Sequence, residues 1–292
     1  MKPAPLVGRN GSETQTIVHI GNASVGGQDL FIVGGPCAVE NAAQLAAIAD
    51  HLGPSPSQPG QIQALRGGIY KPRTSPYDFQ GVGSPGLDII KRISQQSGLP
   101  FVTEVMAVAQ IEALVDHADV LQVGSRNMQN FDLLRALGQV NRPVLLKRGL
   151  AATIEELIMA AEYIASHGNS NVILCERGIR SFDGYTRNVL DLGAVVALKQ
   201  LTHLPVIVDP SHAAGRRELV ASLSRAAIAA GADGLIIECH PSPDEAISDA
   251  QQTISLDAVA ALVESLGPIA EAVGRRLATA KSAPAQRQLV AV

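Results

Sequence analysis

From Leu30 onward the chain alternates short, β-branched apolar runs with longer amphipathic runs rich in Ala and Leu, the pattern of successive βα units around a parallel sheet. Eight runs read as strands: Leu30–Val33, Gln63–Leu65, Phe101–Thr103, Val120–Val123, Val144–Leu146, Val172–Leu174, Val206–Val208 and Gly234–Ile237. Each is short and almost wholly apolar, as a strand covered on both faces must be. Helical periodicity falls near 41–52, 86–97, 107–117, 130–138, 153–167, 188–200, 217–230 and 255–266, with Asn41, Thr153 and Ser255 placed to cap three of these starts. Eight such units over about 250 residues predict a (β/α)8 barrel. A doubly wound sheet is the rival, but Gly34-Gly35-Pro36-Cys37 lacks the spacing of a dinucleotide fingerprint after its first strand.

Outside this scheme, residues 1–15 are polar and aperiodic, and Ile17–Ile20, Gly21-Asn22 and Ala23–Val25 resemble a short hairpin able to cap one barrel end. The expected organisation is an extension with hairpin over 1–28, a barrel over 29–278 and a polar, Ala-rich tail over 279–292. The Pro/Ser/Gly stretch 53–60 reads as a tolerated insertion at the end away from the chemistry. No internal repeat and no second domain stand out.

Composition narrows the function. At 292 residues and 46% hydrophobic, the chain can bury a large core. It has no apolar run of about 20 residues and no signal pattern, so a cytoplasmic, membrane-free protein is expected. Three cysteines, an odd number, argue for free thiols or metal ligands in a reducing compartment rather than a disulfide framework. A net charge of −4 argues against nucleic acid or an anionic membrane as partner, so any basic cluster must act locally.

One such cluster is Leu65 to Pro76, where Arg66, Lys71, Arg73, Thr74 and Ser75 crowd onto a loop stiffened by Gly67, Gly68, Pro72 and Pro76. Arg forks, a compact ammonium and hydroxyl donors held without a helix suit a phosphorylated small molecule. In a barrel, the residues just past the C-terminus of each strand face the active site. Here those positions hold Cys37; Arg66 to Thr74; Glu104; Arg126; Lys147 and Arg148; Glu176 and Arg177; Asp209 and His212; Glu238 and His240. Cys37, His212, Glu238 and Asp249 together offer a thiolate, an imidazole and two carboxylates, a set that accepts Mn, Fe, Co or Zn. Taken singly, each has an ordinary structural reading as a buried thiol or satisfied polar group. Residues alone lead to a metal-dependent, class II aldolase-like phosphosugar enzyme.

Lys71-Pro72-Arg73-Thr74-Ser75-Pro76 resembles the substrate loop of the type I-beta 3-deoxy-D-arabino-heptulosonate 7-phosphate synthases, and the resemblance spans residues 16 to 265. Gly35-Pro36-Cys37, Asp209-Pro210-Ser211-His212, Ile237-Glu238 and Ser248-Asp249 match that family's four metal-ligand motifs. The resemblance implies condensation of phosphoenolpyruvate with erythrose 4-phosphate, the entry to the shikimate pathway and aromatic amino acids. It implies that Arg66, Lys71, Arg126, Lys147 and Arg177, with Gln122, hold phosphoenolpyruvate, and that Arg73 and Thr74 hold the aldose phosphate. Lys71 is the candidate general acid, its pKa expected to be lowered by neighbouring cations, and Glu104 or a metal-bound water near His212 is the candidate for the water proton.

The family's usual assembly is a homotetramer or homodimer. Its feedback-controlled members carry an added regulatory or chorismate-mutase-like domain; with the hairpin beginning by residue 16, insensitivity to phenylalanine, tyrosine and tryptophan is expected unless a separate chorismate mutase supplies control. The sister 3-deoxy-D-manno-octulosonate 8-phosphate synthases share these motifs but characteristically carry Asn after the loop lysine, where this chain has Pro72. A non-catalytic barrel subunit would lack a ligand or cation, and none is missing.

Overall fold

The computed structural model describes residues 2–11, 14–54 and 61–278. Strands β1 (Val18–Ile20) and β2 (Ala23–Val25) form an antiparallel hairpin in the register Val18↔Val25. Eight strands then follow: β3 (Asp29–Gly35), β4 (Ala64–Arg66), β5 (Phe101–Val105), β6 (Val120–Val123), β7 (Val144–Lys147), β8 (Val172–Glu176), β9 (Val206–Val208) and β10 (Gly234–Glu238). Each pairs in parallel with the next, and β10 closes on β3 from Gly234↔Phe31 to Glu238↔Gly35. The result is the (β/α)8 barrel that the sequence predicts, with the hairpin at one end.

Period-2 alternation sorts every strand residue. Leu30, Ile32, Leu235 and Ile237 join the outer core beneath the helices, whereas Phe31, Val33, Val102, Leu145, Ile207 and Ile236 point into the barrel. Val18, Ile20 and Val25 of the hairpin belong to that same interior cluster, so an apolar plug fills the N-terminal end of the barrel. At that end Asp233, fully buried, accepts from Gln15 Nε2 (2.8 Å), Arg275 Nη2 (2.5 Å), Val206 N (2.7 Å) and Lys199 Nζ (2.7 Å).

The helices are α1 (Ala42–Leu52), α2 (Pro85–Ser97), α3 (Ile111–Val115), α4 (Phe131–Gly138), α5 (Ile154–Ser166), α6 (Leu192–Leu201), α7 (Pro210–Ala214), α8 (Arg217–Ala229) and α9 (Leu256–Ala272). Asn41, Thr153 and Ser255 cap as expected, and Thr153 forms a reciprocal capping box with Glu156. Some boundaries differ from the expectation. The helix expected over 107–117 begins as a 3-10 turn and is α-helical only over Ile111–Val115. The helix expected from 188 starts at Leu192, because Val189 bridges Ile179 and the Asp191 carboxylate caps the Ala194 N–H. α9 runs on through Pro268, and β11 (Arg276–Leu277) then pairs with the start of β3.

The N-terminal segment is polar and aperiodic in sequence yet packed: Ala4 and Val7 are buried, and Glu162 of α5 accepts from the Leu6 and Val7 N–H groups at 3.1 and 3.0 Å. Most of the 53–60 insertion and the whole 279–292 tail lie outside the described residues.

Candidate active site and metal centre

Strand parity decides which polar residues face the chemistry. Two residues beyond the last inward apolar side chain, the inward position becomes Arg66 on β4, Glu104 on β5, Gln122 on β6, Lys147 on β7, Arg177 after β8, Asp209 after β9 and Glu238 on β10. All seven are buried. Arg148 and Glu176 have the opposite parity and pair with each other at 2.9 Å, with Asp191 3.0 Å from Arg148. They are internal struts behind the site, although the sequence places them beside it. Arg177 is thereby free of Glu176 and points to the cavity. His240 likewise lies 3.5 Å from Glu40 and not in the cavity.

Above this floor is a cavity of about 460 Å3 lined by Arg66, Lys71, Arg73, Thr74, Glu104, Gln122, Arg126, Lys147, Arg177, His212 and Asp249. It thus gathers every candidate substrate and catalytic residue. Cys37 and Glu238 lie just behind it. Gly67 and Gly68 serve the loop through close approach rather than positive φ: a Cβ on Gly67 would meet Val39 Cγ2 at 2.7 Å. Gly124 serves Glu104, whose Oε1 would be 2.0 Å from a Cβ there. Gln122 Nε2 donates to the other Glu104 oxygen at 3.3 Å.

The metal candidates converge. Donor atoms of Cys37, His212, Glu238 and Asp249 all lie within 4.8 Å of one another, close to the roughly 4.0–4.6 Å that two opposed ligands at 2.0–2.3 Å from one ion span. His212 is presented by the short helix α7, which Asp209 opens by accepting the His212 N–H at 2.9 Å. The same carboxylate takes His212 Nδ1 at 2.7 Å, which turns Nε2 toward Cys37 Sγ (3.6 Å) and Glu238 (3.0 Å). The residues present fit a divalent ion.

Their electrostatics are tightly balanced. Burial alone lowers the His212 pKa, but the Asp209 and Glu238 carboxylates more than offset it and raise the ring to about 10. Burial raises Asp209 and Glu238, yet His212 with Lys147 beside the first, and with Arg66 beside the second, hold both well below the ordinary carboxylate range. Asp249 is lowered too: burial and Glu238 raise it, Lys71 and His212 outweigh them. Lys71 requires a correction. Its nearest partners are Cys37 Sγ at 2.6 Å and the Asp249 carboxylate at 3.9 Å, so after the burial penalty Cys37, Glu104, Glu238 and Asp249 raise its pKa rather than cations lowering it.

At the mouth Arg73 is 3.4 Å from Asp78 and 3.9 Å from Asp249, and Arg126 donates to the Thr74 hydroxyl at 3.3 Å. Cys175 and Cys239 are buried core thiols whose pKa burial pushes up, Cys239 to about 12, and neither belongs to the donor cluster. Sequence reading missed Arg180, Arg187 and Asn188 on the loop after β8, which line the cavity, and Gln252, which bonds Glu238 at 2.6 Å. Parity singles out Asp209 as inward-facing; the loop residues carry no such signal.

Residues 13–273 match the DAHP synthetase I family. A phospho-2-dehydro-3-deoxyheptonate aldolase of Thermotoga maritima is 46% identical over 274 residues, which cover 94% of this chain and 80% of that protein. The crystal structure of a T. maritima protein of that name aligns with a TM-score of 0.89 at 43% identity, over 95% of this chain and 80% of the other. A 2-dehydro-3-deoxyphosphooctonate aldolase of Syntrophotalea carbinolica is 35% identical over 80% of this chain and 88% of its own. With its family match running nearly end to end along the barrel, the chain belongs to the DAHP synthetase I family.

Proposed function

We propose that this protein is a metal-dependent transferase that condenses phosphoenolpyruvate with erythrose 4-phosphate, forming a seven-carbon keto acid phosphate and releasing inorganic phosphate. The observation that carries the reading is one cavity with a four-donor metal set on one wall and Arg66, Lys147 and Arg177 on its floor. Two phosphates and a carboxylate leave water only where matching donors await them.

Arg66, Lys147 and Arg177 hold the carboxylate and phosphate of phosphoenolpyruvate on the floor, with Gln122 nearby. Arg73 and Thr74 take the aldose phosphate at the mouth, and Arg126, bonded to Thr74, spans the two groups. C3 of the enol attacks the aldehyde carbon, water adds at C2, and phosphate leaves from C2. Cys37, His212, Glu238 and Asp249 would hold the divalent ion, which when bound would supply Lewis-acid polarisation of the aldehyde. Lys71, kept protonated by its anionic neighbours, donates to the new alkoxide. Glu104, oriented by Gln122 and given room by Gly124, accepts the water proton.

Phosphate release with phosphoenolpyruvate and each aldose in turn tests the reading. Turnover is expected with erythrose 4-phosphate and not with arabinose 5-phosphate, and a chelator should abolish it reversibly. Preference for arabinose 5-phosphate would assign the sister activity, which Pro72 and the lower identity of the octonate relative argue against. No helix among the described residues is long and apolar enough to cross a membrane. A cytoplasmic homotetramer or homodimer, with the barrel over 29–278 as its catalytic domain, completes the proposal.

A further inference from the structure

Glu238 presents two oxygens to different neighbours. Oε1 faces His212 Nε2 at 3.0 Å and accepts from Arg66 Nη1 at 2.9 Å. Oε2 accepts from Gln252 Nε2 at 2.6 Å, in a place where both side chains are buried. The other end of that amide, Gln252 Oε1, accepts from Arg187 Nη1 at 3.2 Å, and the same guanidinium nitrogen is 3.4 Å from Asp249 Oδ1.

A glutamine amide can be turned end for end with little change of shape, so its sense must be fixed from outside. Here the outer partner, a guanidinium, can only donate, and the inner partner, a carboxylate held ionised, can only accept. Only one orientation satisfies both: Arg187 to the carbonyl, and the amide N–H to Glu238. The turn that carries Gln252 also grips Asp249. Asp249 has a left-handed backbone, φ 58°, and its carbonyl accepts from Gln252 N at 3.1 Å and Thr253 Oγ1 at 3.0 Å. Gln252 therefore touches two of the four metal candidates, one through its side chain and one through its backbone.

We infer that Gln252, its amide oriented by Arg187, is a positioning residue that fixes the Glu238 and Asp249 carboxylates for the divalent ion. The inference rests on the metal reading above. Without the amide, the buried Glu238 Oε2 loses its donor and the carboxylate is held through its Oε1 partners alone. Partners of this kind, which touch the ligands and not the ion, commonly contribute about 10–100-fold in metal affinity.

The test is titration of metal-free protein with Mn2+ against a competing chromophoric chelator, alongside phosphoenolpyruvate binding by calorimetry and a thermal melt. Gln252→Met keeps the volume and removes the donor; it should weaken Mn2+ binding by about 10–100-fold and leave phosphoenolpyruvate affinity unchanged. Arg187→Ala, at an exposed position, should weaken Mn2+ in the same direction by less, and it decides the matter if Gln252→Met does not fold. Mn2+ affinity equal to wild type in either variant, with binding lost in His212→Ala, overturns the inference and leaves the metal reading standing. A wild-type protein that binds no Mn2+ overturns both.

Discussion

Two buried ionic clusters occupy opposite ends of the barrel, and they are built to different ends. At the N-terminal end Asp233 is saturated by Lys199, Arg275, Gln15 and a backbone N–H, beside an apolar hairpin plug. Each charge there is answered within the protein. At the C-terminal end the cavity wall gathers Arg66, Lys71, Arg73, Arg126, Lys147, Arg177, Arg180 and Arg187 against Asp78, Glu104 and Asp249. Glu238 and Asp209 pair with Arg66 and Lys147 from behind that wall and Asp249 faces Arg187, yet the cations still outnumber the carboxylates. A buried salt bridge alone is weak evidence of function. What separates the two is whether the charges close on themselves.

The contrast is tested most severely by removing Asp233. Asp233→Ala leaves Lys199 and Arg275 with no carboxylate and should cost about 3–5 kcal/mol in denaturant unfolding, while activity per folded molecule is retained. Loss of activity without loss of stability would show that the lower cluster reaches the chemistry. His212→Ala makes the opposite claim. It should stay folded, lose its bound metal and retain about a hundredth or less of the activity, a change of roughly 2.7 kcal/mol in barrier; full activity in the presence of chelator would remove the metal from the account.

Arg73→Ala probes the division within the cavity. One charge-assisted hydrogen bond is worth about 1.5–3 kcal/mol, so kcat/KM for erythrose 4-phosphate should fall about ten- to a hundredfold. Phosphoenolpyruvate affinity should stay unchanged, and the reverse pattern would redraw the pocket. A pH series supplies a further test. His212, raised to about 10 in the metal-free protein, must lose its proton to bind an ion. Metal affinity should therefore strengthen from roughly pH 6 to 9, with protons released on binding. The same raised pKa stabilises the metal-free fold fully below about 6.5, the usual imidazole value, and that contribution is lost as pH rises toward about 10. A flat affinity profile would show that His212 does not titrate against the metal.

Most of the barrel was legible because its strands are apolar on both faces and several helices open on a capping side chain, as Asn41, Thr153 and Ser255 do. The four metal candidates and six of the lining cations were legible from their place after strand ends. What escaped was information that does not reside in local pattern. Arg148 and Arg177 look alike in sequence, and only inward or outward parity, counted from Leu145 and Cys175, tells strut from site. The expectation for Lys71 failed because the loop's own cations are near it in sequence while Cys37 and Asp249 are near it in space. Gln252 gave no signal, since an amide's worth depends on the partners at its two ends. The first residues of the chain were missed for a similar reason: their order comes from Glu162, far away in sequence.

The hairpin plug has a kinetic consequence. With Val18, Ile20 and Val25 packed into the barrel interior, the barrel is closed by apolar side chains at its N-terminal end. Arg66 and Lys147 are buried whereas Arg73 and Thr74 are more exposed, so on the proposed assignment phosphoenolpyruvate would sit beneath the aldose phosphate. If the proposed assignment holds, the deeper reactant should enter before the shallower one, and the shallower one, while bound, should trap the molecule below it.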